Sequence, residues 1–566
     1  MQIREQLEQI IDQALRDAIA DGTLAMDQVP GAALERPRDE ANGDWASTVA
    51  MRSAKLAHKS PRDVAAAIVD HLPENSVIAS VDIAGPGVIN IRLDNSALQS
   101  VIADVRCAKA DYGKGIVTEK NKVNLEYVSA NPTGPMHVGH GRWAALGDSL
   151  GRVMRHAGYQ GAEEFYVNVH GVQMDVFGNS IAVRYQQLLG RDVEMPEKCY
   201  GGGYVTDIAQ TIVDQDGDKW LDADEDERRI AFRELGYQMM LKRVQDTLSG
   251  FGNHFDCYFS ERSLYVAGED GTNAVDRALA AFREAGHIYE KDGATWFRST
   301  TFGDDKDRVL IKENGEMTYF MSDCAYHYDK IQRGFDHLIN IWGADHHGYV
   351  KRCEAMLEAW GYPDTLEVVL GQLVNLLRGG EPVRMSKRTG EMVTFEELID
   401  EVGVDATRFL MLSRSSDQPI DFDIEEAKKQ DSSNPVYYVQ YAHARICSII
   451  RKAAGVEAGD TDALAAQVIP ADVDLSVLVD PTELALMRKM ADFPDFIALA
   501  ARDRAPFRCT HFAQELAGLY HQFYTNCHVI CDDASVQAAR LALCDATRLV
   551  LALTLDLLGV SAPEKM

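Results

Sequence analysis

The 566-residue sequence is short of positive charge: 57 Lys and Arg stand against 87 Asp and Glu, a formal net charge of −30. Such a surplus opposes non-specific attachment to nucleic acid. A local basic face on an acidic protein stays compatible with one specific RNA partner, because repulsion elsewhere discourages binding at other places. Long apolar runs are missing as well. No stretch approaches the roughly 18 apolar residues of a membrane span, and the opening MQIREQLEQI is charged and amphipathic where a secretory leader would be apolar. No membrane attachment and a cytoplasmic address are therefore expected. The ten cysteines are scattered and none forms a CxxC pair, which excludes a zinc ribbon or a disulfide frame and leaves reduced thiols.

What is present is ordinary for a globular protein, 46% hydrophobic and 25% charged, at a length that allows three or more domains. Residues 1–95 read as a small α/β unit. Ile3, Leu7, Ile10, Ile11 and Leu15 keep helical spacing, Ser60-Pro61 caps a helix over 62–72, and two β-rich runs, 76–83 and 87–92, flank the turn Gly85-Pro86-Gly87. From about 96 the pattern alternates strands and helices. Regularity fails over about 175–300, where an acidic run (Asp222, Asp224, Glu225, Asp226, Glu227) reads as a solvated helix face. It resumes with expected strands at 309–312, 318–321, 337–342 and 366–372. Beyond 435 the chain is helical throughout, with one stripe of Val436, Val439, Tyr441, Ile446, Ile449 and Ile450 and another of Leu516, Leu519, Phe523 and Tyr524. The expected fold class is α/β: a Rossmann-like doubly wound parallel sheet at 96–434, interrupted by the insertion, between a small N-terminal α/β domain and an all-α bundle at 435–566.

The chemistry concentrates in VNLEYVSANPTGPMHVGHGR, residues 123–142, which reads as a strand, a small-residue turn and a helix N-terminus. Helix N-termini present unpaired N–H groups and partial positive charge, suited to phosphate. His137 and His140 lie three apart on that turn, where both can donate to phosphate oxygens as charge builds on them, and Gly139 leaves room for a flat base. A surface pair or a metal pair stays open as an alternative, although helical metal pairs favour i, i+4 spacing and need a third ligand. A second stretch, LRGGEPVRMSKRTG at 377–390, holds Arg384, Ser386, Lys387, Arg388 and Thr389. Cations there could neutralise a departing pyrophosphate.

HVGH at 137–140 followed by RMSKR at 384–388 resembles the HIGH and KMSKS signatures of class I aminoacyl-tRNA synthetases. The context SANPTGPMHVGHGR and the later run GVDATRFLMLSRSSDQPIDFDIEEAKKQDSSNPVYYVQYAHAR resemble the arginyl-tRNA synthetases, as do ERPRDEANGDWAST and GPGVINI near the N-terminus. That resemblance implies an arginine–tRNA ligase: activation of arginine by ATP, with Mg2+, then transfer to the terminal ribose of tRNA(Arg), by a protein expected to be a monomer. It implies a docking role for the N-terminal domain and a DALR-type anticodon-binding bundle. Catalytic roles fall on His137, His140 and Lys387. ATP contacts fall on Gly139, Gly343, Asp345, His346, Gln372, Val374, Met385 and Ser386, and the arginine pocket on Glu126, Asn131, Tyr319 and Asp323. A pocket for a guanidinium, with five donors and a fixed charge, needs carboxylates facing it, which Glu126 and Asp323 supply. Two departures stand out: Arg384 replaces the first lysine of KMSKS, and Val169 stands where the family leads one to expect an aspartate. Two rival readings remain. A small nucleotidyltransferase has no use for the C-terminal bundle, and a silent tRNA-binding paralogue has no use for HVGH and MSK.

Overall fold

The computed structural model describes residues 2–118, 121–169, 171–385 and 392–566. At its centre is a five-stranded, wholly parallel sheet. In space the strands run Leu366–Gly371, His337–Gly343, Lys122–Glu126, Gln160–Val167 and Cys257–Ser260. By chain position that is fifth, fourth, first, second, third. The order reverses beside the first strand, and a doubly wound sheet binds its ligand at the carboxyl ends flanking such a reversal.

The helix that follows the first strand, Val138–Ala157, lies against the sheet through glycines. A Cβ on Gly147 would fall inside the Tyr127 ring, and one on Gly151 would meet the Glu163 carboxylate. The helix ends at Gly158, which adopts φ 116° as a left-handed cap.

Three expectations need correction. The stretch read as a strand at 318–321 opens a helix instead: the Thr318 hydroxyl accepts from the Met321 N–H, capping Tyr319–Gln332. The strand near 309 does not rejoin the parallel sheet. Arg308–Ile311 pairs antiparallel with Ala294–Phe297, which pairs with Ile288–Lys291 in a separate three-stranded sheet. Within the stretch read as insertion, Cys257–Ser260 is the edge strand of the central sheet. The added material therefore forms two pieces, the helices from Val172 to Gly250 and the small antiparallel sheet. The acidic run is solvated and starts a helix, with Asp224 accepting from Asp226 and Glu227 N–H at 3.0 Å.

The N-terminal unit is an antiparallel sheet of Leu34–Glu35, Trp45–Ser47, Val88–Leu93 and Ile78–Ala84, backed by helices Ile3–Ala20 and Pro61–Asp70. It reaches the C-terminal helices through ion pairs, Arg36 with Asp492, Arg4 with Asp495 and Arg488 with Asp44. The bundle runs from Pro435 to Leu557. Its last helix, Ala534–Leu557, ends against the helix Val138–Ala157: the Ser149 hydroxyl donates to the Leu557 carbonyl at 2.8 Å, and Arg152 donates to the Asp556 carbonyl at 3.2 Å. No helix among the described residues is long and apolar enough to cross a membrane. All ten cysteines are free.

Candidate active site

A cavity of about 850 Å³ opens where the strand order reverses. One wall is the first turn of the helix Val138–Ala157. His137 is its N-cap, in extended conformation (φ −88°, ψ 167°), and its Nδ1 accepts the Gly139 N–H at 3.1 Å. The His137 N–H in turn donates to His140 Nδ1 at 3.1 Å. Two imidazoles thus stand in for the usual hydroxyl and carboxylate of a capping box. The rings stack with centroids 3.7 Å apart. Because both Nδ1 atoms accept, both protons sit on Nε2. Burial lowers the pKa of His137, and burial together with the adjacent His137 ring pushes His140 down to about 3. The site therefore presents two neutral donors. A Cβ on Gly139 would sit 3.0 Å from the His137 ring, so glycine there keeps the ring in its capping position.

The chain beyond the second signature, at Thr394 and Phe395, is tied to the same turn. The Phe395 N–H donates to the Met136 carbonyl at 2.8 Å, and His137 and Thr394 form an isolated antiparallel bridge. On Gly141 a Cβ would strike the Phe395 ring. Met385 and Met392 pair across the base of the basic stretch. Ser386 and Lys387 lie outside the described residues. Met385 is 55% exposed and lines, with Arg384, a shallow groove apart from the cavity.

The opposite side of the cavity is built on the helix Tyr319–Gln332, which turns Asp323, Tyr326 and His327 to it and holds Lys330 beneath. Glu126, at the end of the first strand, is not a free carboxylate. Its Oε2 accepts Lys330 Nζ at 2.6 Å and its Oε1 accepts the Ser129 hydroxyl at 3.1 Å. Lys330 is fully buried, 4.4 Å from the Tyr326 ring centroid, and also donates to Asn340 Oδ1 at 3.2 Å. Asn340 Nδ2 meets His327 Nε2 at 2.9 Å, and His327 Nδ1 donates to the Asp323 carbonyl at 2.8 Å. The Asp323 carboxylate accepts the Tyr349 hydroxyl at 2.7 Å. Burial, with Glu126 and Glu261 nearby, raises Asp323 to about 7 against the opposing Tyr349 bond and Arg352 charge. Val169 is buried and its N–H donates to Glu261 at 3.3 Å, so a carboxylate approaches that position from another element.

Of the residues singled out in the sequence, Glu126, Asn131, His137, Gly139, His140, Asp323, Gly343, Asp345, His346 and Gln372 line this cavity. Val374 and Tyr319 do not; Tyr319 is 68% exposed, with its hydroxyl over Gly171. Sequence reading missed Trp143, Tyr166, Tyr326, His327, Lys330, Asn340 and Tyr349. One signal was available: Asp323, Tyr326, His327 and Lys330 recur at i, i+3, i+4 and i+7, a spacing that normally carries the apolar stripe of a packed helix. No group of three or more His, Cys, Asp and Glu among the described residues could hold a metal.

A second candidate surface lies on the bundle. Tyr441, placed in the apolar stripe by sequence, is 38% exposed. Tyr437 stacks on it at 6.0 Å, His521 lies at 6.2 Å, and Arg445 sits 5.4 Å from the Tyr441 ring and 4.0 Å from that of Tyr524. Aromatic rings interleaved with an arginine suit unpaired bases.

A Rossmann sheet with a paired-imidazole helix start at its reversal point, bonded to the chain at Thr394 and Phe395 that follows the basic signature, is the arrangement of a class I aminoacyl-tRNA synthetase. Family models agree over most of the chain: the class I (R) tRNA synthetase catalytic domain matches residues 102–446, the arginyl-tRNA synthetase N-terminal domain 5–93, and the DALR anticodon-binding domain 439–566. An arginine–tRNA ligase of Moorella thermoacetica is 46% identical over 576 residues, and one of Bacillus subtilis is 45% identical over 570, each comparison covering 100% of both chains. The solved arginyl-tRNA synthetase of Thermus thermophilus superposes over 100% of both chains with a TM-score of 0.74 at 22% identity, a likeness of fold. The chain belongs to the arginyl-tRNA synthetase family.

Proposed function

We propose that this protein ligates arginine to tRNA(Arg) in two steps. The arginine carboxylate attacks the α-phosphorus of ATP, pyrophosphate departs, and the terminal ribose hydroxyl of the tRNA then attacks the adenylate carbonyl, releasing AMP. The observation that carries this reading is one cavity with neutral imidazole donors on one wall and the Asp323 carboxylate on the other. Donors fixed by backbone capping need no reorganisation as charge grows on the phosphate. His137 and His140 take that role through Nε2–H, and Lys387 meets the departing pyrophosphate. Gly139, Gly343, Asp345, His346 and Gln372 border the nucleotide, and Ser386 approaches it with Lys387 from the second signature, while Val374 and Met385, outside the cavity, take no part. Glu126, Asn131 and Asp323 receive the amino acid, and Tyr319, outside the cavity, does not. With Glu126 already paired to Lys330, Asp323 is the carboxylate left to meet the guanidinium.

Mg2+ would arrive with the nucleotide as part of the ATP substrate and would supply charge neutralisation at the departing pyrophosphate. Domain boundaries at 95 and 434, a tRNA-docking N-terminal domain, a monomeric state and a cytoplasmic location complete the reading, with Tyr437, Tyr441, Arg445, His521 and Tyr524 as the surface offered to the anticodon.

The deciding experiment is arginine-dependent exchange of pyrophosphate into ATP, with and without tRNA(Arg). Exchange driven by arginine in the presence of tRNA is expected. Exchange driven by a different amino acid, or none under any condition, would overturn the assignment.

A further inference from the structure

Two residues beyond the second imidazole, Arg142 is 1% exposed and makes no direct ion pair among the described residues; burial pushes its pKa down to about 10, opposed only through space by the Asp417 carboxylate. Its guanidinium is held by main-chain carbonyls alone. One terminal nitrogen donates to Gln372 at 2.7 Å and reaches Leu373 at 3.5 Å, and the other donates to Ser415 at 2.9 Å and Gln418 at 2.7 Å. The two loops so gathered also bond to each other, the Gln372 N–H donating to the Ser416 carbonyl at 2.8 Å. Next along the helix, Trp143 packs against Gly371, where a Cβ would enter its ring.

Burying a cation with no anion in direct contact is costly, and an apolar side chain of similar size would avoid that cost. What an arginine adds is a rigid planar fork able to fix two separate backbones at once. Here those backbones matter: Gln372 and Leu373 line the cavity together with His137, Gly139 and His140. The guanidinium therefore ties one wall of the cavity to the helix whose first turn forms another.

We propose that Arg142 is a positioning residue for the adenylation step, setting the spacing between the imidazole turn and the 371–373 backbone so that the nucleotide seats between them. It acts through those carbonyls and does not touch substrate. This rests on the reading of the cavity as an ATP site. An ammonium reaches fewer of the four carbonyls than a guanidinium, and a neutral amide fewer again without charge, so the effect is graded.

The test uses the full-length protein as wild type, Arg142→Lys and Arg142→Gln. KM for ATP and for arginine are measured in pyrophosphate exchange with tRNA present, and ATP binding is measured at equilibrium. For Arg142→Gln, KM for ATP is expected to rise about tenfold or more while KM for arginine stays within about twofold, with Arg142→Lys between. Equal shifts in both constants, an unchanged KM for ATP, or failure of both variants to fold would overturn the proposal and leave Arg142 a scaffold residue. If wild type shows no arginine-dependent exchange, the functional reading fails separately, and equilibrium ATP binding by the three proteins still decides the role of Arg142.

Discussion

Two helices serve the cavity by opposite means. Val138–Ala157 contributes its first turn, where the polar groups of His137, Gly139 and His140 satisfy one another within four residues. Tyr319–Gln332 contributes its flank, where each polar group is satisfied by a different element: Lys330 by Glu126 and Asn340, Tyr326 by Glu164 at 2.5 Å, and Asp323 by Tyr349. The first arrangement is local and keeps its donors neutral. The second is a tertiary construction that keeps charges inside the protein, so the two should fail differently when broken.

The largest effect is expected from the flank. Lys330→Met leaves the Glu126 carboxylate buried without its cation, and breaking one side of such a pair costs about 3–5 kcal/mol, whereas removing both charges is far cheaper. Thermal or denaturant unfolding should show a severe loss for the single variant and recovery in Lys330→Met/Glu126→Gln. Equal stability of the two would mean that the pair contributes nothing. At the helix start the cost falls on chemistry instead. His140→Ala and Lys387→Ala should each lower turnover by about 10²-fold or more with tRNA affinity nearly unchanged, as for groups acting on the transition state. A large change in tRNA affinity would count against that role.

A smaller effect separates helix packing from site chemistry. Gly147→Ala gains up to about 1 kcal/mol of helix propensity, but the added methyl has to displace the Tyr127 ring, an overpacking cost of about 1–3 kcal/mol. A net loss of about 1–2 kcal/mol is expected, read as a lower apparent Tm with KM for arginine unchanged. A variant as stable as wild type would show that helix and sheet can slide apart.

The difference between the helices also explains what could be read before the structure. A capped turn announces itself over a dozen residues, so the strand, the turn and the pair of imidazoles were legible, and ten of the candidate positions do line one cavity. Lys330, His327 and Tyr326 were not, because on a helix they read as an ordinary polar face until Glu126, Asn340 and Glu164 arrive from distant strands. Thr318 misled for the same reason: with its neighbours Tyr319 and Phe320 it favours a strand, and only the capping hydroxyl marks a helix. The edge strand Cys257–Ser260 was hidden by its four-residue length. Tyr441 was misplaced because helical spacing alone puts it with Val436 and Ile446, while in space it faces out beside Arg445.

The finest test of the contrast is pH. His140 stays neutral down to about 3, so it should add no titration between pH 6 and 8. Burial, with the carboxylates of Glu126 on the strand end and Glu261 after the edge strand, raises Asp323 to about 7 against the Tyr349 bond and the Arg352 charge. A guanidinium favours the ionised form, so binding arginine must expel a proton wherever Asp323 was protonated beforehand. Below about 7 the protonated fraction grows with each unit, and KM for arginine should climb toward tenfold per pH unit, about 1.4 kcal/mol, levelling above pH 8. KM for ATP should stay flat over the same range. Calorimetric titration of arginine at pH 6 in buffers of different ionisation heat should register the released proton, and Asp323→Asn should remove both the slope and the proton while weakening arginine at every pH. A flat profile in wild type would place the guanidinium elsewhere, and with it the division of labour between the two helices.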